Sequence, residues 1–346
     1  MTAVGSAGSM ADALRRSQRG RVFWLLAVLL VLACACVVSV SFGTRDVNWA
    51  DIVAGVSGTN DTVAQAVVAV RVPRTVLAVL AGAALGLAGA VMQGITRNPL
   101  ADPGILGVNA GAAMAVVIGM AWFGMETLHA FLWTAILGAG VAACFVYAIG
   151  SLGRGGATPL KLALAGAATS IASASFTMAI ILPRNDIAGG VRSWQIGGIG
   201  GASFDAILPC LPFLVVGLIL CLLSARSLNL LALGDDAAAG LGARVAWARG
   251  AAALGAVLLC GATTAICGPI GFVGLVVPHV CRLLVGVDHR WLLPFCALTG
   301  GILLIAADVL GRIVARPSEM DVGIVTAFVG APVFIWIVRK RRIRDL

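Results

Sequence analysis

The residues that could carry chemistry in this chain of 346 residues are few and widely spaced. Asp308 and Arg312 are four positions apart in an apolar run, so on one helix their charges can neutralise each other. This pairing weakens the interpretation of Asp308 as a proton carrier. His279 has no carboxylate or cysteine at ligand spacing, and we favour a structural role over a proton relay or metal ligand. We therefore predict no catalytic site.

The cysteines do not form a metal-binding pattern either. Nearly all lie inside apolar runs, at spacings that match neither zinc sites nor iron–sulfur clusters. We predict that they are small buried apolar side chains and that the chain holds no metal. The nine are Cys34, Cys36, Cys144, Cys210, Cys221, Cys260, Cys267, Cys281 and Cys296.

The lysines bear on nucleotide binding. The chain has two, Lys161 and Lys340, and they follow Leu160 and Arg339. A phosphate-binding P-loop needs a Gly-Lys pair, which is absent. We predict that this chain is not an enzyme and carries no cofactor. If ATP drives this protein, a partner chain binds the ATP together with magnesium and hydrolyses the ATP.

The composition shows which elements must position these residues. Hydrophobic residues make up 60% of the chain and charged residues 11%, against about a quarter charged in soluble domains. Repeated apolar runs match the roughly 20 residues that a helix needs to cross a bilayer, without the alternation of a β-barrel. We predict an all-α polytopic membrane protein with ten transmembrane helices, at 22–42, 74–95, 103–122, 128–150, 160–182, 205–224, 247–267, 270–286, 291–312 and 322–338.

The distribution of basic residues predicts the orientation. Ten crossings place both termini on one side, and 17 of the 24 lysines and arginines fall on that side. Cytoplasmic loops are enriched in basic residues, so both termini should be cytoplasmic. The net charge of +9 then reflects topology, and no nucleic-acid partner is predicted. The domains are a tail at 1–21, a transmembrane domain at 22–338 and a basic tail at 339–346.

Two arginines mark the predicted outer end of the second span, in Arg71-Val72-Pro73-Arg74. Pro73 suits a first helical turn. The arginines could simply extend towards lipid headgroups. They could also form a cationic docking point for an acidic external partner, because guanidinium groups pair well with carboxylates.

Glycines and prolines punctuate the spans. Gly82, Gly86 and Gly89 share one helix face and predict a close helix contact. Gly268, Pro269 and Pro278 should break one apolar region into two spans. Polar residues at Gln93 and in the run from Asn98 and Pro99 to Asp102 could be no more than helix ends, with Asp102 capping a helix that begins at Pro103.

The longest internal loop on the cytoplasmic side, about 225–246, is amphipathic. Its glycines suggest two short helices joined by a turn, and Asp235 or Asp236 could cap the second. The segment could be an interfacial helix, or a docking surface for a cytoplasmic partner.

Taken in order, these motifs resemble the permeases that import cobalamin, haem and ferric siderophores in ATP-binding-cassette (ABC) systems. The resemblance covers about Arg71 to Lys340. Besides the motifs described above, the resemblance rests on five further segments: Leu228 to Asp235, Gly268 to Leu275, Pro278-His279, Asp288-His289-Arg290 and Gly330 to Pro332.

The resemblance implies a permease domain in the membrane, paired with a second permease subunit, two cytoplasmic ATPase subunits and an external substrate-binding protein. It assigns Arg71, Arg74 and Arg312 to docking of the binding protein. For coupling to the ATPase, it points to Leu230, Leu233, Gly234, Asp235, Asp236, Gly240, Leu241 and Gly242. A cytoplasmic gate is implied at Gly155, Gly156, Ala157 and Thr158. Structural or path positions are Gln93, Asn98, Pro99, Gly268, Pro269, Pro278 and His279.

An ion-coupled secondary transporter is the main alternative. That class should show unpaired intramembrane carboxylates or broken helices around a midplane site. A membrane enzyme or structural subunit should carry clustered His or Asp ligands, whereas His129, His279 and His289 are dispersed. The sequence favours the importer permease.

Overall fold

The chain folds into a bundle of helices in this computed structural model, which describes residues 18–59, 61–104, 107–153 and 159–342. The described residues hold fifteen α-helices and no β-strand. They are α1 Gln18–Ser41, α2 Trp49–Val56, α3 Val63–Thr96, α4 Val108–Phe123, α5 Leu128–Gly150, α6 Pro159–Ile181, α7 Asn185–Ile196, α8 Phe204–Ile207, α9 Leu211–Leu223, α10 Ala225–Leu231, α11 Asp235–Gly240, α12 Val245–Cys267, α13 Val273–Val285, α14 His289–Val314 and α15 Val322–Arg342.

The all-helical membrane class is confirmed. Among the residues that the structure describes, seven helical stretches are long and apolar enough to cross a bilayer: Gly20–Ser41, Val63–Thr96, Leu128–Gly150, Leu160–Ile181, Phe204–Leu223, Val245–Cys267 and His289–Val314. Three shorter apolar helices, Val108–Phe123, Val273–Val285 and Val322–Ile335, coincide with the remaining predicted spans. The break at Gly268 and Pro269 also falls where the sequence predicts it, between Cys267 and Val273.

Helix α3 begins earlier than predicted. It starts at Val63, eleven residues before the predicted Arg74, so Pro73 lies inside the helix instead of in its first turn. The cause is a capping box. The Thr62 hydroxyl accepts a hydrogen bond from the Gln65 backbone N–H, and the Gln65 side-chain oxygen accepts one from the Thr62 N–H. The long helix therefore places Arg71 and Arg74 within its body.

The start of α4 also differs from the prediction. The helix begins at Val108, after Gly107 in a left-handed conformation at φ +77°, and not at Pro103. Asp102 caps no helix; its Oδ2 accepts a bond from the Gly104 N–H at 2.9 Å and closes a turn.

The centre of the bundle is the pair α3 and α14, which pack along much of their lengths. A Cβ at Gly82 would collide with the Gly300 carbonyl, and one at Gly86 with the Cys296 carbonyl. A Cβ at Gly89 would collide with the Gly274 backbone of α13. The predicted glycine seam is thus confirmed, because only glycine lets these backbones touch.

The cysteines follow the prediction in part. All nine are free thiols, and six of them are buried. Cys36 is half-buried, while Cys34 and Cys144 lie on the outer surface of the bundle. In a membrane protein an exposed apolar side chain faces lipid, which suits these two as well as burial does.

Candidate functional site

Buried charges form one polar cluster, at the end of the bundle where α1 ends, α3 begins and α14 ends. We call it the Arg74 end (residues 39–46, 71–75 and 308–321). Asp308 is 0% exposed there. It accepts from Arg74 Nε at 2.9 Å and Nη2 at 2.7 Å, and its other oxygen lies 2.7 Å from Arg312 Nη2. The predicted pairing of Asp308 with Arg312 is confirmed, and Arg74 joins it.

Backbone carbonyls at the end of α1 also accept hydrogen bonds from Arg312 and Arg71 at the Arg74 end. Arg312, 1% exposed, donates to the carbonyls of Ser39 at 3.0 Å and Phe42 at 3.1 Å. Arg71 donates to the carbonyls at the end of α1 and just beyond it, at Val40, Ser41 and Arg45. These bonds tie α1 to α3 and α14.

Glu319 is an exposed member of this cluster. One of its carboxylate oxygens lies 2.6 Å from Arg74 Nη1, and its side chain is partly open to solvent. Sequence spacing gives no hint of this contact, because Glu319 and Arg74 are 245 positions apart.

The burial of Arg71, Arg74 and Arg312 bears on their predicted docking role. All three are buried and bonded within the chain. The interpretation of Arg71 and Arg74 as arginines that reach to headgroups therefore does not describe them. They can meet a partner's carboxylates only by leaving these contacts. Direct docking by these three stays a prediction.

A second polar cluster lies at the opposite end, where α14 begins; we call it the Asp288 end (residues 93–98, 228–249 and 282–290). The Asn229 amide donates to Asp288 Oδ1 at 2.7 Å. The Asn229 carbonyl oxygen accepts from the His289 backbone N–H at 2.9 Å and lies 2.8 Å from His289 Nδ1. One side chain of α10 thereby holds the start of α14.

The charge of Asp288 is stabilised by this arrangement. Burial raises its pKa, but the hydrogen bonds from Asn229 and the Arg290 N–H, with the charges of Arg290 and Arg21, outweigh burial and hold the pKa below its usual range. Asp288 is therefore ionised at neutral pH and acts as the N-cap of α14.

The predicted coupling loop takes the predicted form. Two short helices, α10 and α11, are joined through Gly234, which has a φ of +106° that glycine adopts without strain. Asp235 and Asp236 lie in the first turn of α11, but Gly234 is its N-cap and no side chain caps it. The predicted cap by Asp235 or Asp236 is therefore wrong.

Asp235 instead links α11 to its neighbours. Its Oδ1 lies 2.8 Å from Arg249 Nη2 on α12 and 3.2 Å from Arg97 Nη2 at the end of α3. Asp235 thus attaches the segment to the bundle at two points, in addition to the contacts of Asn229.

The outer surface of this segment is apolar and open. Leu233 and Leu241 are exposed, and Trp247 beside them is 76% exposed. A groove of about 440 Å³ runs between α10 and α12. It is lined by Ser227, Leu230, Leu241, Gly242, Arg244 and Trp247, among others. Gly240 lies open next to Leu241.

The predicted path residues are dispersed. The Gln93 amide donates to the Gly274 carbonyl at 3.1 Å, and its oxygen accepts from Arg282. Asn98 closes a turn by accepting from the Leu100 N–H at 3.0 Å, and Pro99 lies within that turn. The Gly268 and Pro269 bend packs beside Gly197.

Pro278 and His279 lie within α13, where His279 Nδ1 is 2.8 Å from the Leu275 carbonyl. This contact within one helix fits a structural role. The predicted gate at Gly155, Gly156, Ala157 and Thr158 lies outside the described residues. In the part of the chain that is described, no three His, Cys, Asp or Glu side chains group as metal ligands.

Sequence reasoning did not assign roles to Asn229 and Asp288. Two signals were available: an amide among the leucines of 228–233, and an acid directly before an apolar helix, which is an N-cap pattern.

Comparison with known proteins identifies the class. The FecCD transport family matches residues 28–340, and this chain belongs to that family. It is a multi-pass protein of the cell membrane.

Two curated relatives and one solved structure are closely similar. The chain is 43% identical over 316 residues to the ferric enterobactin transport permease FepD of Escherichia coli (strain K12), covering 91% of this chain and 94% of that one. It is 40% identical over 317 residues to the probable siderophore transport permease YfiZ of Bacillus subtilis (strain 168), with the same coverage. An inward-facing metal-chelate type ABC transporter matches with a TM-score of 0.78 and 28% identity, over 91% of this chain and 98% of that one.

Proposed function

We propose that this chain is the permease subunit of an ABC importer that carries a ferric siderophore or a related metal chelate into the cytoplasm. The observation that carries the proposal is the segment from α10 to α11: two short helices, anchored to the bundle, present exposed leucines beside a groove. Such a surface suits a cytoplasmic ATPase. Because the chain has no Gly-Lys pair of its own, ATP that drives the import would be hydrolysed on this partner.

The topology is part of the proposal. The Arg74 end and the Asp288 end lie at opposite ends of α14, and consecutive helices run between them. With ten crossings, both termini share the side of the Asp288 end. The excess of basic residues there supports a cytoplasmic location.

The partners follow from the same reasoning. Two permease subunits, identical or closely related, would enclose the path, and two ATPase subunits would bind ATP and magnesium. An external binding protein would deliver the chelate at the Arg74 end, with lipid around the bundle. Since Arg71, Arg74 and Arg312 are bonded internally, they would shape this surface unless docking opens their network.

Ion-coupled transport is less well supported. Asp308 is a buried acid within a span, and its two carboxyl oxygens lie 2.7 Å from Arg74 Nη2 and 2.7 Å from Arg312 Nη2. This environment suits a structural ion cluster more than a proton carrier.

The ATPase surface can be tested by removing its leucines. Replacing both Leu233 and Leu241 with serine should weaken co-purification of the importer's ATPase subunit at least about tenfold. Fully burying a leucine side chain contributes roughly 1.5–3 kcal/mol, and a tenfold change in affinity corresponds to about 1.4 kcal/mol. Leu182→Ser is the matched control, an exposed leucine just beyond α6 at the other end. Retention of the ATPase by the double variant at the level of the control would contradict this docking surface.

A further inference from the structure

We infer that Asn229 is a positioning residue that joins the ATPase-facing segment to a rigid pair of helices, α3 and α14, which reach the opposite side of the membrane. The inference rests on the proposed function, and it identifies the part of the chain that carries motion from the ATPase to the outer end.

The first joint is the contact between α10 and the start of α14. Asn229 uses both ends of its amide, donating to Asp288 and accepting from the His289 backbone. His289 is buried, and Asp288 is partly buried, so water competes weakly for these bonds. A displacement of α10 must therefore move the start of α14 or break several hydrogen bonds at once.

The second joint is at the end of α3. Arg97 follows the last residue of α3, and its side chain pairs with Asp235 at the start of α11. Both side chains are well exposed, so this pair is screened and contributes less than the Asn229 contacts. Asp235 also lies 2.8 Å from Arg249 of α12, so α11 is attached to both α3 and α12, while α10 is attached to α14.

Helices α3 and α14 have little freedom to slide past each other. At Gly82 and Gly86, their backbones touch without side chains between them, and adding a Cβ at either glycine would cause a collision. Close-packed backbones move as one body, because no flexible side chain can absorb a shift.

The far ends of the same pair are joined by charge. Arg74 of α3 bonds to Asp308 of α14, and Arg312 extends the contact to the end of α1. Twenty residues of α14 separate Asp288 from Asp308, which at 1.5 Å per residue is about 30 Å. Helices α3 and α14 thus form a rigid connection from the ATPase-facing segment to the Arg74 end. Asn229 links this pair of helices to that segment.

Loss of the Asn229 hydrogen bonds should uncouple ATP hydrolysis from transport without releasing the ATPase. The surface that we assign to the ATPase, around Leu233 and Leu241, does not include Asn229. Coupling between sites typically changes an equilibrium about 5- to 150-fold. We expect Asn229→Ala to lower iron transported per ATP hydrolysed at least about fivefold, with co-purified ATPase unchanged.

The experiment uses the assembled importer in proteoliposomes. The probe is radiolabelled iron, supplied as ferric enterobactin, a ferric hydroxamate, ferric citrate and haemin in turn, with the binding protein outside. Asn229→Asp places two carboxylates together and should uncouple like alanine. Adding Asp288→Asn exchanges donor and acceptor between positions 229 and 288, and this double variant should recover most of the coupling. Asn48→Ala and Asp61→Asn, at exposed positions of the other end, are matched controls.

The outcomes separate this inference from the proposed function. If the wild-type chain binds no ATPase or transports none of the probes with ATP, the proposed function fails. If wild type transports and Asn229→Asp keeps the wild-type ratio, the inference is wrong. It is also wrong if the single variant is assembled but uncoupled and the double variant stays equally uncoupled. Recovery in the double variant supports it, since a merely damaged fold would not be repaired by a second substitution.

Discussion

Replacing Asp308 with alanine is expected to destabilise the folded chain by about 3–5 kcal/mol, the usual cost of leaving buried charges without their partner. Asp308 is completely buried and balances Arg74 and Arg312, which belong to two different helices. Removing it takes away the carboxylate that both buried guanidinium groups contact, although Arg74 keeps its contact with Glu319. The measurement is the unfolding free energy of the purified chain in detergent.

Asp46→Ala is the matched control for Asp308→Ala. Asp46 also faces an arginine, Arg316, at 3.5 Å, but its side chain is 94% exposed. Surface ion pairs contribute little, so this variant should unfold like wild type. Equal stability of the two variants would show that the Asp308 cluster does not hold the Arg74 end together.

Gly82→Ala is expected to lower the unfolding free energy by about 1–3 kcal/mol, the range for overpacked sites. The new methyl group would collide with the Gly300 carbonyl of α14, and backbone atoms cannot turn away as a side chain can. The two helices would have to separate along the seam.

Gly250→Ala should act in the opposite direction. Gly250 lies inside α12, and no neighbouring atom lies within 4 Å of a Cβ placed there. Alanine favours a helix interior over glycine by about 0.5–1 kcal/mol, so this variant should be slightly more stable. The same unfolding assay compares both, and a loss of stability at Gly250 as large as at Gly82 would contradict a specific seam.

The sequence predicts the parts of this protein that depend on local pattern. Apolar runs predict the helices, the spacing of Gly82, Gly86 and Gly89 predicts the seam, and the glycines of 234–242 predict two short helices. Even the early start of α3 could have been predicted from the sequence, because Thr62 and Gln65 form a capping-box pattern.

The buried environment of Arg71, Arg74 and Arg312 could not be predicted from the sequence. Beside a predicted helix end, arginines are expected to face water or headgroups. Their burial depends on Asp308 and on the end of α1, which lie far away in the sequence and meet them only in the folded bundle. The same holds for Asn229 and Asp288, 59 positions apart.

We propose ATP-driven alternating access as the mechanism by which this chain imports a metal chelate. The most direct test reconstitutes it with a second permease subunit, its ATPase subunits and its binding protein, and follows uptake of radiolabelled iron chelates into liposomes. We predict uptake that requires ATP and magnesium on the ATPase side and the binding protein on the other. Uptake driven by a proton gradient alone, without ATP, would contradict ATP-driven import by this chain.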